Sequence, residues 1–145
     1  MRKEHFGLIL KEVASKKKHE EKVEELKKHV NDGFLTTFLC YVYDTQRWKW
    51  FCDFLPKDYK ILSSKIDIDF AGTHLRDIIP ILYLFLNDSV IDDKKKLEKL
   101  YFILEGMHKS EIELLSGMFS MKREIKGISR KVIEEVFPSL LQKVS

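Results

Sequence analysis

Apolar side chains recur at helical spacing along almost the whole chain, and the alternation typical of a β-strand is scarce. Positions i, i+3, i+4, i+7 and i+8 lie on one face of a helix, and the chain carries clear stripes of this kind. The first stripe consists of Phe6, Ile9, Leu10, Val13 and Ala14. A later stripe consists of Leu97, Leu100, Tyr101, Leu104 and Met107. The pattern predicts an all-α fold.

Breaks in this pattern set the number and the ends of the helices. We expect a single compact bundle of six or seven helices, with one irregular segment near residues 55–72. Pro80 forces a late start or a kink in the helix that follows this segment. The predicted N-caps of the later helices are Thr73, Asp92 or Asp93, Ser110 within a capping box, and Ser129.

Bulk composition indicates one folded domain. The chain has 145 residues, 44% of them hydrophobic, with a formal net charge of only +3. No repeat or Gly/Ser-rich linker divides it, so residues 1–145 are predicted to form a single helical domain. The most apolar stretch, residues 78–86, is far shorter than the roughly 20 residues that cross a bilayer. Residues 1–5 do not open a secretory signal. We therefore expect a soluble intracellular protein with no membrane partner.

Residue types that serve catalysis or metal binding are present but follow no recognisable spacing. The five histidines are not at HxxxH spacing, the two cysteines are not at CxxC spacing, and the six glycines are isolated. A catalytic set that assembles only in space stays compatible with the sequence, but no pattern favours one. We therefore predict a protein that is not an enzyme, with no catalytic residue, no metal and no cofactor.

The segment that we call the basic corner, residues 122–131, carries the strongest functional signal. Its pattern indicates the end of one helix, a turn at Gly127 and the start of another helix, where free N–H groups and a partial positive charge favour phosphate. Glycine also allows close approach of a ligand or a positive φ. The predicted DNA-binding residues here are Lys122, Arg123, Lys126, Gly127, Ser129, Arg130 and Lys131. An ordinary helix–turn–helix corner with solvated lysines is the simpler alternative.

A second candidate patch interleaves cations with indoles between residues 46 and 50. Arg47 and Lys49 are its predicted DNA-binding residues. Trp48 or Trp50 would stack or wedge against nucleotides if exposed, whereas packing in the core is the alternative for both.

Three stretches of the chain occur in an order that is found in a known family. These are residues 9–15, residues 39–44 continuing to Leu55-Pro56, and residues 123–129 with 136–141. They resemble the first helix, the aromatic helix with its following corner, and the last turn and helix of one domain. That domain is the N-terminal helical DNA-binding domain of the ATP-dependent DNA ligases of T-even-type bacteriophages.

A second resemblance rests on the later part of the chain. Residues 100–105, 113–115, 126–132 and 137–138 carry a pattern similar to that of a family of small uncharacterised tailed-phage proteins. Both resemblances imply a phage protein.

The ligase resemblance implies a domain that grips the duplex backbone across the minor groove. Only the turn from Arg123 to Lys131 matches a DNA-contacting motif of that family. The adenylated KxDG motif of ligases is absent, because residues 65–68 lack the glycine. The first hypothesis is therefore a non-catalytic phage protein that binds the backbone of double-stranded DNA without sequence specificity. It would act in replication, recombination or repair in the cytoplasm of the infected bacterial host.

The second hypothesis is a protein–protein adaptor that docks on a phage or host protein of the replisome, the virion or a host defence. The modest net charge and three acids beside the basic corner favour it: Glu124, Glu134 and Glu135. Exposed aromatic residues between 41 and 50, or Tyr59 and Phe70, would anchor such a partner. The nucleic-acid hypothesis requires instead that the basic corner be open to solvent and its cations be free of acidic neighbours.

Overall fold

The computed structural model describes residues 5–44, 48–51, 72–120 and 124–138, and its regular elements there are helices. The α-helices are α1 (Phe6–Ser15), α2 (His19–Lys27), α3 (Gly33–Tyr43), α4 (Leu75–Ile78), α5 (Asp93–Glu105), α6 (Lys109–Phe119) and α7 (Arg130–Val136). A 3₁₀ helix (Ile79–Phe85) directly follows α4. The predicted all-α bundle is confirmed. The predicted irregular segment near residues 55–72 lies outside the described residues, apart from its last residue. No helix within these ranges is long and apolar enough to cross a bilayer.

Aromatic side chains join the helices at the centre of the molecule. Phe6 of α1 and Phe38 of α3 are fully buried, with 5.7 Å between their ring centroids. Phe85 of the 3₁₀ helix stands edge-on to Phe119 of α6 at 6.1 Å, and Trp50 stands edge-on to the same ring at 5.5 Å. Such pairs add to the stabilisation that burial of large apolar surface already provides. α2 packs against both α1 and α7.

Pro80 acts through a change of helix type. α4 ends at Ile78, and the chain continues as the 3₁₀ helix with Pro80 as its second residue. Proline has no N–H to donate and is tolerated near the start of a helix, so the α-helical ladder is not continued through it. The predicted cap at Thr73 is wrong, because the N-cap of α4 is His74. The Thr73 amide donates instead to the carbonyl of Gly106 at 2.9 Å.

On α5 a lysine occupies a position that the apolar stripe assigned to its neighbour. Leu97 is 40% exposed, whereas Lys96 is 1% exposed. The Lys96 Nζ donates to the carbonyl of Leu86 at 2.7 Å and lies 5.8 Å from the centre of the Phe51 ring. The ammonium group thus caps the C-terminal end of the 3₁₀ helix, and the methylene chain of Lys96 fills apolar space.

Of the caps predicted after Thr73, Asp92 and Ser129 stand at N-cap positions, whereas Ser110 does not. Asp92 caps α5, because its Oδ1 accepts the Lys95 N–H at 2.9 Å. Ser129 stands at the N-cap of α7 as predicted, but its side chain makes no capping hydrogen bond there. The predicted capping box at Ser110 is wrong. α6 begins at Lys109, and its N-cap is His108, two residues before Ser110; the His108 Nδ1 accepts the Ser110 N–H at 3.1 Å.

In α6, Glu111 lies in the interior of the protein, where its side chain is fully buried. Its Oε2 accepts the Gly7 N–H at 3.2 Å, and its Oε1 accepts the Leu75 N–H at 3.0 Å. The N-caps of α1 and α4 are His5 and His74, which make no capping hydrogen bond and stack on each other with centroids 4.0 Å apart. One carboxylate from α6 therefore caps two other helices.

Candidate nucleic-acid interface

The basic corner makes a tight turn between α6 and α7. The Ile128 N–H donates to the Ile125 carbonyl at 2.9 Å, and this contact closes the turn around Lys126 and Gly127. Gly127 has a φ of +86°, in the region that glycine enters without cost. The predicted glycine turn is therefore present. Of the basic corner, Lys122 and Arg123 lie outside the described residues.

Helices from the first third of the chain support this turn. A Cβ placed on Gly127 would lie 2.8 Å from the Cβ of Ala14 on α1, so the glycine permits close packing against this helix. The Lys22 Nζ of α2 donates to the Gly127 carbonyl at 2.6 Å. The close approach that glycine allows is thus used by another helix of the same chain.

Tyr43, at the end of α3, contacts the turn through its side-chain hydroxyl. Its buried hydroxyl donates to the Ile128 carbonyl at 2.7 Å and accepts the Ile125 N–H at 3.0 Å. Its own backbone carbonyl accepts a hydrogen bond of 2.9 Å from Nη1 of Arg130. One residue therefore joins both sides of the turn and the first residue of α7.

Arg130 is only half exposed and already has partners. Besides its bond to Tyr43, its Nε lies 3.0 Å from Oε1 of Glu134. Its amide, the first N–H of α7, donates to Oε2 of Glu124 at 2.8 Å. An acid of the same chain therefore occupies the helix start at which a phosphate was expected, so Arg130 contributes little free charge.

Lys126, Ser129 and Lys131 are exposed. Neither lysine forms an ion pair with a carboxylate of the described residues. The described part of the basic corner, residues 124–131, therefore offers two solvated cations and a hydroxyl beside a turn of defined shape. This arrangement suits nonspecific contacts with an anionic backbone, which need charge and shape but no base reading.

A cavity of about 1360 Å³ opens beside the basic corner, between α1, α6 and the turn. Its lining carries three lysines and two acids, which are Lys11, Lys22, Lys126, Glu113 and Glu124. The lining also includes apolar residues such as Ile128. Lys11 and Lys22 thus lie on the same concave surface as Lys126, although their helices are distant in sequence.

At the second candidate patch, the indoles pack inward. The rings of Trp48 and Trp50 stand edge-on to Tyr41 at 4.9 Å and 5.2 Å, and Trp50 is only 8% exposed. The core-packing alternative is therefore the observed one for Trp50. Lys49 is exposed, and Arg47 lies outside the described residues.

Sequence reasoning missed the supports of the basic corner. Tyr43 carried only the signal of a core aromatic residue, and Lys11 and Lys22 only that of a polar helix face. Nothing in a local pattern shows that Tyr43 and Lys22 contact a turn more than 80 residues away, or that Lys11 lines the cavity beside this turn. In the described residues, no three His, Cys, Asp or Glu side chains form a group that could hold a metal ion.

The fold and the corner together define an all-α bundle with a small cationic turn. Comparison of the chain with protein-family models, curated proteins and solved structures gives no match. The resemblance to the ligase domain therefore remains a prediction from the sequence.

We predict that the protein loses stability at high pH because of the environment of the Tyr43 hydroxyl. Burial raises the pKa of its hydroxyl well above the ordinary value of 10.0; the nearby Glu124 adds to the rise, and the bond from the Ile125 N–H opposes it. The folded chain thus holds this proton more tightly than the unfolded chain. The contribution is complete below pH 10 and decreases by about 1 kcal/mol per pH unit as the pH rises further.

Denaturation of the parent and of Tyr43→Phe at several values between about pH 9 and about pH 11 measures this slope. The variant should lose stability less steeply in this range. Equal slopes for the two proteins would contradict the assignment.

Proposed function

We propose that this protein binds the sugar–phosphate backbone of double-stranded DNA, without sequence specificity and without catalysis. Its place of action would be phage replication, recombination or repair, in the cytoplasm of the infected bacterium. The observation that carries the proposal is a pair of solvated lysines: Lys126 lies on a turn that three helices support, and Lys131 lies on α7, which follows that turn.

The surroundings of the turn support the same proposal. Lys11 and Lys22 add positive charge to the concave surface beside Lys126, which Glu113 and Glu124 also line. The formal net charge of +3 is small, so attraction to DNA depends on this local grouping of cations. The ligase resemblance places its one matching DNA-contacting motif at the same turn.

The test is charge reversal at the basic corner. Lys126→Glu with Lys131→Glu should weaken duplex binding at least about tenfold at low salt, because each lost phosphate contact removes counterion release. The slope of log affinity against log salt should become shallower by about 2. Fluorescence anisotropy with a labelled duplex of arbitrary sequence, over a range of salt concentrations, measures both quantities.

A matched control changes the charge equally at a different helix. Lys94 and Lys99 are exposed on α5, so Lys94→Glu with Lys99→Glu removes the same charge from the protein. We expect this control to bind much more like the parent. Equal losses in the two variants would mean that total charge, and not the basic corner, determines binding, and an unaffected corner variant would place the site elsewhere.

The adaptor remains the second candidate, because two observations favour it. Glu124 and Glu134 already engage Arg130, which reduces the free charge of the basic corner. Phe102 on α5 is 79% exposed, an unusual position for a large apolar ring. Of the anchors that the sequence suggested, Tyr59 and Phe70 lie outside the described residues, and Tyr41 is occupied by the two indoles.

The two candidates differ in their response to salt and to substitution. An adaptor complex with a phage or host protein should persist at high salt and be lost in Phe102→Asp. It should be retained when Lys126 and Lys131 are reversed. Absence of duplex binding by the parent at low salt, together with such a complex, would select the adaptor.

A further inference from the structure

We infer that Tyr43 is a positioning residue for the basic corner: its hydroxyl group, bonded to both sides of the turn, fixes the shape in which Lys126 and Lys131 meet a DNA backbone. This inference rests on the proposed function. Tyr43 itself is fully buried and has no access to DNA, so it would act through the turn.

The two ends of the turn carry polar groups that its closing bond does not use. Its closing bond uses the Ile128 N–H and the Ile125 carbonyl, which leaves the Ile125 N–H and the Ile128 carbonyl. The Tyr43 hydroxyl pairs with both at once, at 3.0 Å and 2.7 Å. Ile128 is buried, so water is a poor substitute for this partner.

Tyr43 also connects the turn to α7. Its carbonyl accepts from Arg130, and Lys131 is the next residue of that helix. Tyr43 therefore helps to hold both Lys126, within the turn, and Lys131, within α7, in place. A phenylalanine would fill the same volume, but it would leave the two sides of the turn without their shared partner.

A turn that is already ordered loses less conformational freedom when it binds a partner. Without the hydroxyl, the turn would sample other shapes and the lysines would have to be ordered on binding. The loss should therefore appear as weaker binding through Lys126 and Lys131, even where the protein remains folded.

The experiment compares Tyr43→Phe with Tyr41→Phe. Tyr41 lies two residues earlier on the same helix, and its described contacts are ring contacts with Trp48 and Trp50, which phenylalanine keeps. Each variant is first checked for parental helical content by circular dichroism at the temperature of the assay. We expect Tyr43→Phe to weaken duplex binding about fivefold to tenfold and Tyr41→Phe to leave it within about twofold.

A double-mutant cycle separates positioning from a general structural role. In a protein that already carries Lys126→Ala and Lys131→Ala, Tyr43→Phe should have little further effect on binding, because it acts through those lysines. An additive loss in that background would overturn the inference. Parental binding by Tyr43→Phe would overturn it as well.

Amide hydrogen exchange gives a readout that does not depend on DNA. In Tyr43→Phe the Ile125 amide should exchange about tenfold faster or more than in the parent, relative to amides in the middle of α3. If the parent failed to bind duplex, the proposed function would fail, and this measurement alone would decide whether Tyr43 fixes the turn. Unchanged exchange at Ile125 would then overturn the inference.

Discussion

We expect Glu111→Ala to lower the free energy of unfolding by about 3 kcal/mol and the melting temperature by about 10 °C. The reason is that a single fully buried carboxylate accepts the Gly7 N–H of α1 and the Leu75 N–H of α4. Alanine leaves both buried donors without a partner and opens a cavity between three helices. Thermal and chemical denaturation followed by circular dichroism measure the change.

Glu111→Gln should fall between the parent and the alanine variant, because glutamine keeps one acceptor oxygen but presents an amide NH₂ group to the other donor. The matched control is Glu113→Ala, two residues further on α6, where the side chain is exposed. It should change stability by less than about 0.5 kcal/mol. Similar losses at positions 111 and 113 would contradict the role given to Glu111.

Gly127→Ala should have the second largest effect, a loss of about 2 kcal/mol in stability together with weaker duplex binding. Two costs combine here: a φ of +86°, which a side chain disfavours, and a new methyl group 2.8 Å from the Cβ of Ala14. The clash is with the end of a rigid side chain, so α1 or the turn must move. The basic corner would then lose the shape on which the proposed contacts depend.

Gly117→Ala provides a control of opposite sign. This glycine lies in α6, and a Cβ there would meet nothing within 4 Å. Alanine favours the helix, so stability should rise by up to about 1 kcal/mol. Denaturation curves and duplex affinity for both glycine variants test the pair, and a Gly127→Ala protein that equals the parent in both would contradict the account of the turn.

Local pattern was sufficient for much of the fold. The stripe from Phe6 to Ala14 predicted α1, and the glycine turn before Ser129 predicted the entry to α7, because helical periodicity and caps depend on near neighbours along the chain. Errors arose where a residue serves a distant partner. Glu111, which lies just after the predicted capping residue Ser110, caps two other helices, and Lys96 is buried because it reaches the Leu86 carbonyl.

The turn of the candidate site was predicted from the sequence, but the residues that support it were not. Exposure of Lys126 and Lys131 agrees with the requirement set by the sequence, whereas Arg130 is engaged by an acid and by Tyr43. Charge runs are visible in a sequence, but the acid that answers each cation is determined by tertiary packing. The role of Lys122, Arg123 and Arg47 stays a prediction, because these residues lie outside the described ranges.

The residues that support the turn around Gly127 are distant from it in the sequence, which affects when this surface forms during folding. Tyr43 reaches Ile128 across 85 positions, and Lys22 reaches Gly127 across 105. Closing such large loops is slow, so the turn should adopt its final shape only after the first three helices have assembled. A synthetic peptide of residues 124–138, or the same stretch grafted onto another scaffold, should therefore be a poor mimic of this surface.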